Sequence, residues 1–370
     1  MTSPIAATQE GTDHYRQRFA GVIPLEHFRA MHGIWVSSIG LGTYLGNHDP
    51  STDAQYHEAA VRAVQSGCNV IDSAINYRCQ RSERSIGTAL KELARQGYGR
   101  DEIIVATKGG FLPFDGTPPN DPRTYFVRNF IESGMATAEE IVGGYHCMTP
   151  KYLLSQLDSS LENLGLQCID IYYVHNPESQ LGKITRTEFD ERLVKAFEAL
   201  EQAVSTRKVR MYGTATWNAY RNPPEAKDYL SLAHVVSLAE KAGGKDHHFR
   251  VVQLPLNLGM TEALSNANQP QVDGKSVTLL EAAQHLGVTV MCSASVLQGQ
   301  LTRNLPDLIG ETFEGLETDG QRALQFVRST PGVTTALIGM KQLNHVEENL
   351  KTARISPAPW EQYSKLFQTA

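Results

Sequence analysis

Eight short apolar runs alternate along the chain with longer segments in which apolar residues recur every three to four positions. Each run is apolar almost throughout and rich in Val and Ile, as expected for parallel strands that are covered on both faces. The longer segments have the period of amphipathic helices. The runs end at Gly42, Asp72, Lys108, His175, Thr216, Leu256, Ala294 and Gly339.

The spacing of these runs predicts a repeated strand–helix unit. Most strand ends lie about 30 to 45 residues apart, which is typical of a βα repeat. No Ser/Gly-rich linker or charge run divides the chain. Eight consecutive units without a divider predict one α/β domain over residues 1–370, a single (β/α)8 TIM barrel.

Local signals refine this prediction at four places. Residues 36–42 read as the first barrel strand, and residues 1–33 read as an N-terminal extension with a hairpin that closes the bottom of the barrel. A helix is expected from Ser82, and another from Pro150 with Thr149 as its cap. The gap between Lys108 and His175 is about 67 residues long, so residues 109–148 are predicted to form an insert over the mouth of the barrel.

A dinucleotide-binding βαβ unit is the competing interpretation of the first two runs. Gly40, Gly42 and Gly46 follow a strand, and the next strand ends in the acidic Asp72. In the true motif, however, the glycines open the helix directly, and the acid follows about 20 residues later. Here "NHDPSTD" intervenes and Asp72 lies about 30 residues on, which favours the barrel.

Composition excludes several classes of function. The chain has 370 residues and a net charge of −6 with acids and bases interspersed, so no basic face for nucleic acid is expected. No apolar run approaches the length of a membrane span. The first 18 residues have no apolar targeting core. Five cysteines without a CxxC pair, and no HExxH, indicate reduced thiols in a cytoplasmic protein without a metal site.

Four polar residues lie where apolar strands end. Asp72, Lys108 and His175 each finish a strand, and Tyr77 lies in the loop after Asp72. Singly, the Asp could cap a turn, the Lys could extend to solvent and the His could be structural. Because the C-terminal strand ends of a parallel barrel share one mouth, the four together predict an active site.

Their chemistry is coherent without a metal or a nucleophile. A phenol is a poor acid at neutral pH, and a neighbouring ammonium is expected to lower its pKa. Asp72 would keep Lys108 charged and in place, while His175 would bind the oxygen of a substrate carbonyl. Such a pocket suits an oxygen that gains negative charge, as in hydride addition to a carbonyl.

On these residues the chain resembles the aldo-keto reductases. The segment "DSAINYRCQRSE" is similar to that family's Asp-x-x-x-x-Tyr followed by a Ser-Glu helix start. Strands ending in "ATK" and "YYVH" supply the Lys and the His, and "GLGTY" is similar to the first barrel strand. The resemblance runs from about residue 34 to 355 and implies a catalytic tetrad of Asp72, Tyr77, Lys108 and His175, with Tyr77 as the general acid–base.

The same resemblance implies an extended nicotinamide cofactor across the mouth, with NADP(H) preferred to NAD(H). Its implied contacts are Gly42, Thr43, Tyr44, Asp72, Thr216, Gln253, Ser293, Val296, Gln298, Gly339, Lys341, Gln342, His345, Glu348 and Asn349. The chain departs from the family pattern at three places. Ala215-Thr216 replaces the usual Ser-Asn pair, Ser293 replaces an aromatic ring, and His345 replaces an arginine near the 2′-phosphate.

These observations leave three functions open. The first is reduction of an aldehyde, ketone or sugar with NADPH; the second is oxidation of a sugar or secondary alcohol with NAD; the third is a cofactor-bound regulatory subunit with little turnover. The expected partner is a small carbonyl or alcohol substrate, and the oligomeric state stays open. The predicted substrate pocket comprises Tyr44, Tyr77, Phe111, His175 and Trp217.

The insert is rich in aromatic residues that suit a wall for the substrate. Its predicted features are a short helix capped by Asp121 and a hinge at Gly143-Gly144. The alternative for this segment is a subunit contact or a helix packed on the flank of the barrel. The aromatic residues are Phe111, Phe114, Tyr125, Phe126 and Phe130.

Overall fold

Eight parallel strands close into a barrel in the computed structural model, which describes residues 4–271 and 274–368. Each strand pairs with its neighbours in chain order, and the last strand pairs with the first. The predicted (β/α)8 TIM barrel is therefore confirmed. The strands are β1 (Ile39–Gly42), β2 (Val70–Asp72), β3 (Ile104–Gly109), β4 (Ile169–His175), β5 (Val209–Ala215), β6 (Phe249–Pro255), β7 (Thr289–Ser293) and β8 (Val333–Gly339).

One amphipathic helix follows each strand and packs its apolar stripe on the barrel. These helices are α1 (Pro50–Gln65), α2 (Arg81–Arg95), α3 (Pro150–Leu164), α4 (Arg186–Ser205), α5 (Leu232–Gly243), α6 (Leu279–His285), α7 (Asp319–Ser329) and α8 (Leu343–Lys351). Further α-helices lie outside the repeat, at Gln9–Gln17, Pro122–Phe126, Glu262–Ser265, Asp307–Thr312 and Trp360–Tyr363. Gln269–Pro270 and Ser276–Val277 form a small antiparallel ribbon in the connection between β6 and α6.

A hairpin of Phe28–Met31 and Ile34–Ser37 precedes β1. Its side chains Met31, Ile34 and Val36 pack with residues of the barrel strands in one buried cluster. The predicted barrel strand that ends at Gly42 is confirmed, but it begins at Ile39 and not at Val36, which belongs to the hairpin. The break falls at Ser38, whose N–H donates to the carbonyl of His27 at 2.7 Å. Ser37 and Ser38 lie within the run, but the residue pattern alone does not show that the strand breaks there.

Two predicted helix starts need correction. Helix α2 begins at Arg81, one residue before Ser82, and Gln80 precedes it with a left-handed φ of 68°. Pro150 is the first residue of α3 and Thr149 occupies the cap position, but the Thr149 side chain accepts no bond from the first turn. Its hydroxyl lies 3.4 Å from the sulfur of Cys147 instead.

No helix within the described ranges is long and apolar enough to cross a membrane. The five cysteines are all buried and unpaired.

Candidate active site

Three neighbouring strands bring Asp72, Lys108 and His175 to the same end of the barrel. Asp72 ends β2, Lys108 is the penultimate residue of β3, and His175 ends β4. The Lys108 side chain is buried, and its Nζ donates to Asp72 Oδ2 at 2.6 Å and to the carbonyl of Ser73 at 2.7 Å. A buried ammonium needs such partners, because desolvation of an unpaired charge is costly.

The loop after β2 folds Tyr77 over this pair. The N–H of Ile75 donates to the carbonyl of Lys108, and the N–H of Tyr77 donates to that of Ala74. The Tyr77 ring centroid then lies 4.8 Å from Lys108 Nζ and 5.8 Å from the His175 ring. The structure thus brings together all four residues that the strand-end pattern predicted.

The net pKa of Tyr77 moves opposite to the prediction. Burial raises the pKa of the phenol above its ordinary value, while the charge and hydrogen bond of Lys108 act to lower it. The net shift is upward, so the predicted lowering is wrong, because Lys108 offsets only part of the effect of burial. Burial acts to lower the pKa of Lys108, yet Asp72 and Tyr77 more than compensate and the net shift of that pKa is upward.

His175 is buried in its neutral form. Burial lowers its pKa well below the ordinary value, and the nearby charge of Lys108 adds to this effect. Its Nδ1 is buried and has no hydrogen-bond partner among the described residues. At neutral pH the site therefore contains a protonated phenol, a charged lysine and an uncharged imidazole.

Two residues that the sequence patterns marked only as a helix start fix the loop in place. The hydroxyl of Ser82 donates to the carbonyl of Thr43, which ties α2 to the residue after β1. The buried carboxylate of Glu83 accepts from the Thr107 hydroxyl at 2.6 Å and from the Asn163 amide at 2.9 Å. In the sequence, the position of Ser82 and Glu83 shortly after Tyr77 is the feature that could have indicated that they hold this loop.

The predicted cofactor residues lie around the ends of β1 and β5 to β8. Gly42 and Gly339 face each other across the closing pair of strands. Gln253 lies near the end of β6, where its amide donates to Asp72 Oδ1 at 2.8 Å. The hydroxyl of Thr216 is buried and unpartnered in the described part of the chain. A buried hydroxyl without a partner fits the polar edge of a bound carboxamide.

The loop after β7 has an unusual backbone. Ala294, Leu297 and Gln298 all have left-handed φ values, between 46° and 56°. Ser293 ends β7, and Val296 and Gln298 lie in this loop. Non-glycine residues with positive φ are uncommon and mark a backbone fixed by its surroundings.

The segment after β8 places a free cation beside the loop after β1. A Cβ on Gly46 would lie 3.5 Å from Lys341 Nζ, so the two loops touch. Lys341 has no ion-pair partner in residues 4–271 and 274–368. Gln342 precedes α8 without capping it, which leaves the N-terminus of that helix open to an anion.

Other predicted phosphate residues differ in their availability. His345 is exposed and Asn349 is buried on α8. The Glu348 carboxylate accepts from the Thr318 hydroxyl at 2.7 Å, and Thr318 caps α7. Glu348 therefore joins α8 to α7 in this structure.

Aromatic rings surround the tetrad at the mouth. Tyr44 packs on Tyr77 with ring centroids 5.0 Å apart, and Phe111 lies edge-on to His175 at 4.9 Å. Tyr145, which no sequence pattern singled out, stacks on Phe111 at 6.0 Å. The side chains of Tyr44, Tyr145 and Trp217 are exposed.

The insert packs through its two ends and its middle, and Leu112 and Cys147 near the ends share one apolar cluster with Phe126 and Phe130 of the middle. Its two ends pair with each other, and His146 Nε2 donates to the carbonyl of His175 at 2.7 Å. Its middle contains the helix Pro122–Phe126, which Asp121 caps as expected. There, Phe126 and Phe130 pack together, and Phe130 contacts Tyr152 of α3. Of the predicted aromatic wall, Phe111 adjoins His175, while Phe114, Tyr125, Phe126 and Phe130 contact one another.

Comparison with known proteins identifies one family, the aldo/keto reductases. A model of the aldo/keto reductase family matches residues 38–316. The fission yeast Schizosaccharomyces pombe has an "Aldo-keto reductase yakc [NADP(+)]" that is 28% identical over 353 residues, covering 86% of this chain and 84% of the relative. A "Putative voltage-gated potassium channel subunit beta" of the same yeast is 25% identical over 336 residues, covering 88% of this chain and 86% of the relative.

Solved structures agree on the fold. An aldo-keto reductase from Bacillus halodurans, in its holo form, superimposes with a TM-score of 0.63 at 19% identity, covering 93% of this chain and 96% of that one. An aldo/keto reductase from Klebsiella pneumoniae in complex with NADP and acetate gives a TM-score of 0.61 at 20% identity, covering 92% and 95%.

Proposed function

This chain belongs to the aldo/keto reductase family, and on that premise we propose that it reduces a carbonyl to an alcohol with NADPH. The observation that carries the proposal is the cluster at the mouth, in which Lys108 is held by Asp72 and lies against Tyr77 beside His175. We assign these four residues as the catalytic residues. The physiological substrate is an aldehyde, a ketone or a sugar.

Each side chain has one task in the proposed reaction. A nicotinamide cofactor held at the mouth by residues such as Thr216 and Gln253 would supply a hydride to the carbonyl carbon. Tyr77, which is protonated at neutral pH, donates its phenolic proton to the carbonyl oxygen, and Lys108 stabilises the phenolate that remains. The neutral His175 is a hydrogen-bond partner for the same oxygen, and Asp72 keeps Lys108 charged and oriented.

Preference for NADP(H) rests on Lys341 and the open N-terminus of α8, which suit the 2′-phosphate. The name of the yeast NADP(+) relative and the NADP complex of the Klebsiella structure support it. The substrate pocket of this proposal is formed by Tyr44, Tyr77, Phe111, His175 and Trp217. The five unpaired cysteines support a reducing, cytoplasmic compartment.

A regulatory role with little turnover is the second candidate. The observation that favours it is the similarity to the yeast relative named as a potassium channel β subunit. Dehydrogenation with NAD is a third candidate, favoured by His345 at a position where the family often has arginine. The complete cluster of four residues favours turnover over a purely regulatory role.

Cofactor titration followed by a substrate screen tests the proposal. NADPH and NADH are titrated by fluorescence, and aldehydes, ketones, sugars and alcohols are then screened in both directions. Tyr77→Phe should lower kcat for carbonyl reduction by roughly 10²-fold or more, as loss of a general acid implies, and NADPH affinity should be kept. Tyr145→Phe is the matched control, because it removes an exposed phenol at the mouth that has no proposed part in proton transfer or in binding of the substrate or cofactor.

Near-wild-type kcat in Tyr77→Phe would exclude the assigned role of that residue. Tight NADPH binding without turnover of any carbonyl or alcohol would favour the regulatory candidate instead.

A further inference from the structure

The turn after β4 carries two buried polar side chains that contact the loops on either side. This turn, Pro177–Gln180, begins two residues after His175. The amide of Gln180 lies 3.0 Å from His146 Nδ1 in the insert. Glu178 contacts the loop after β5, where its Oε1 accepts from the N–H of Trp217 at 2.7 Å. The turn thus joins the strand that ends in His175 to both neighbouring loops at the mouth.

Trp217 is held by its backbone and leaves its ring exposed. Its N–H is bonded to Glu178, and its carbonyl accepts from Arg221 Nε at 3.0 Å. It lies two residues beyond Ala215, which pairs with His175 across β4 and β5. The residue is nevertheless 41% exposed. The main-chain contacts therefore fix the backbone from which the indole ring projects beside His175.

Glu178 has no ion-pair partner within residues 4–271 and 274–368 that would explain its burial. The residue is only 6% exposed, and its Oε2 is buried with no hydrogen-bond partner in the described part of the chain. A carboxylate that only stabilised the fold would be expected to have a cationic partner or a full set of hydrogen bonds.

We propose that Glu178 is a positioning residue that sets Trp217 as a wall of the substrate pocket and thereby selects for substrates large enough to contact the indole. This inference rests on the proposed function, because Trp217 can select among substrates only if a carbonyl binds at the tetrad. Small aliphatic carbonyls do not extend to Trp217, so its position does not affect their KM.

The charge state of Glu178 gives this role a measurable signature. Burial raises the pKa of Glu178 to about 7, the charge of Asp228 adds to the rise, and hydrogen bonds from the backbone of Trp217 and Asn218 oppose it. The Tyr220 phenol also interacts with Glu178, and burial keeps that phenol protonated. A carboxylate accepts an N–H bond more strongly than a carboxylic acid does. The hydrogen bond from the Trp217 N–H to Glu178 is therefore stronger above about pH 7 and weaker below it.

Fluorescence of Trp217 reports on its hydrogen bond to Glu178 without any assay of activity. In a Trp35→Phe/Trp360→Phe background, Trp217 is the one remaining tryptophan. Its emission should change with pH with a midpoint near the pKa of about 7, and Glu178→Gln, which keeps the side-chain volume, should abolish the change. Asp228→Asn should move the midpoint to lower pH, since it removes a charge that raises the pKa. Asp158→Asn, on the outer face of α3, is the control and should change nothing.

The kinetic arm compares a bulky aromatic aldehyde with a small aliphatic one. In the wild-type protein, KM for the aromatic aldehyde should fall roughly threefold or more as the pH rises through the transition, as expected for strengthening one hydrogen bond. The KM of the small aldehyde should follow only the general pH dependence of the enzyme. In Glu178→Gln the ratio of the two KM values should not vary with pH.

Emission of Trp217 that does not respond to pH would overturn the proposal, and so would a transition that survives in both Glu178→Gln and Asp228→Asn at its original midpoint. A KM ratio that varies equally in wild type and Glu178→Gln would also overturn it. Absence of turnover with every carbonyl would refute the proposed function. The fluorescence transition would still test separately whether Glu178 positions Trp217.

Discussion

Burial decides the electrostatics of individual residues at this mouth. Tyr77 lies against an ammonium, yet its pKa rises because desolvation outweighs the charge of Lys108. That Asp72, Tyr77, Lys108 and His175 lie together was predictable, since three of them lie at the ends of apolar strands and Tyr77 lies in the loop after one of these strands. The net pKa shift was not, because it depends on how completely the folded loops exclude water.

Glu178 and His146 were not predicted for a related reason. Both lie in loops, where no hydrophobic period marks a buried position, and both act through backbone atoms of another residue. A sequence pattern identifies a residue that ends a strand more easily than one that bonds to a distant peptide group. Only the fold brings such partners together.

His146 should make the protein sensitive to acid. It is fully buried, and burial lowers its pKa to about 4, whereas the unfolded chain binds a proton near pH 6.5. A histidine whose folded pKa is depressed stabilises the fold above its unfolded pKa, and this contribution is lost as the pH falls from about 6.5 to 4. The expected loss between neutral pH and pH 5 is about 2 kcal/mol.

Urea unfolding of His146→Gln at pH 7.5 and pH 5 measures this contribution. The drop in the free energy of unfolding between the two pH values should be smaller in the variant than in wild type by about 2 kcal/mol. His285→Gln, an exposed histidine in the last turn of α6, is the control. An unchanged pH dependence in His146→Gln would contradict a neutral, buried imidazole at this position.

At the scale of elements, the spacing of apolar residues and the turn residues between them predicted the strands and helices. Local hydrogen bonds decided where each element begins and ends. The run over residues 36–42 contains Ser37 and Ser38, and nothing in it shows that Ser38 bonds to His27 and separates the hairpin from β1. Thr149 has the right residue type and position for a cap, but its side chain does not cap α3. Competition among nearby polar partners is not visible in the pattern.

The insert is the element whose role the sequence left open between a wall and a packing segment, and its contacts support both. A matched pair of variants should separate the two roles. Phe111→Ala removes the ring that lies 4.9 Å from His175 and should change kcat/KM by unequal factors across a series of carbonyls. Phe126→Ala removes a ring that packs within the insert, so it should lower the Tm and leave kcat/KM nearly unchanged.

Steady-state kinetics with four or more carbonyls and a thermal melt on each variant make the test. A uniform loss across all substrates in Phe111→Ala would favour a packing role for the whole insert. Equal substrate dependence in the two variants would show that the insert acts as one rigid body.

At the scale of the whole molecule, closure of the barrel creates the proposed phosphate site. Pairing of β8 with β1 brings Lys341 beside Gly46, although the two lie at opposite ends of the barrel sequence. The number of strand–helix units predicted this closure, since eight units return the chain to its first strand. The contact between the two loops follows from the geometry of closure and from no local motif.

Lys341→Ala should therefore discriminate between the two cofactors. A charged hydrogen bond to the 2′-phosphate contributes on the order of 1.5–3 kcal/mol, so NADPH should bind about tenfold more weakly or worse, while NADH affinity should hardly change. Lys351→Ala, at the C-terminal end of α8 and paired with Glu317 at 2.8 Å, is the matched control and should affect neither cofactor. Fluorescence titration gives both dissociation constants, and the shift in Tm at fixed cofactor concentration checks them independently, because a ligand that binds only the folded state stabilises it by mass action. Equal losses for NADPH and NADH in Lys341→Ala would show that this lysine contacts a part of the cofactor common to both, and the preference for NADP(H) would then need another source.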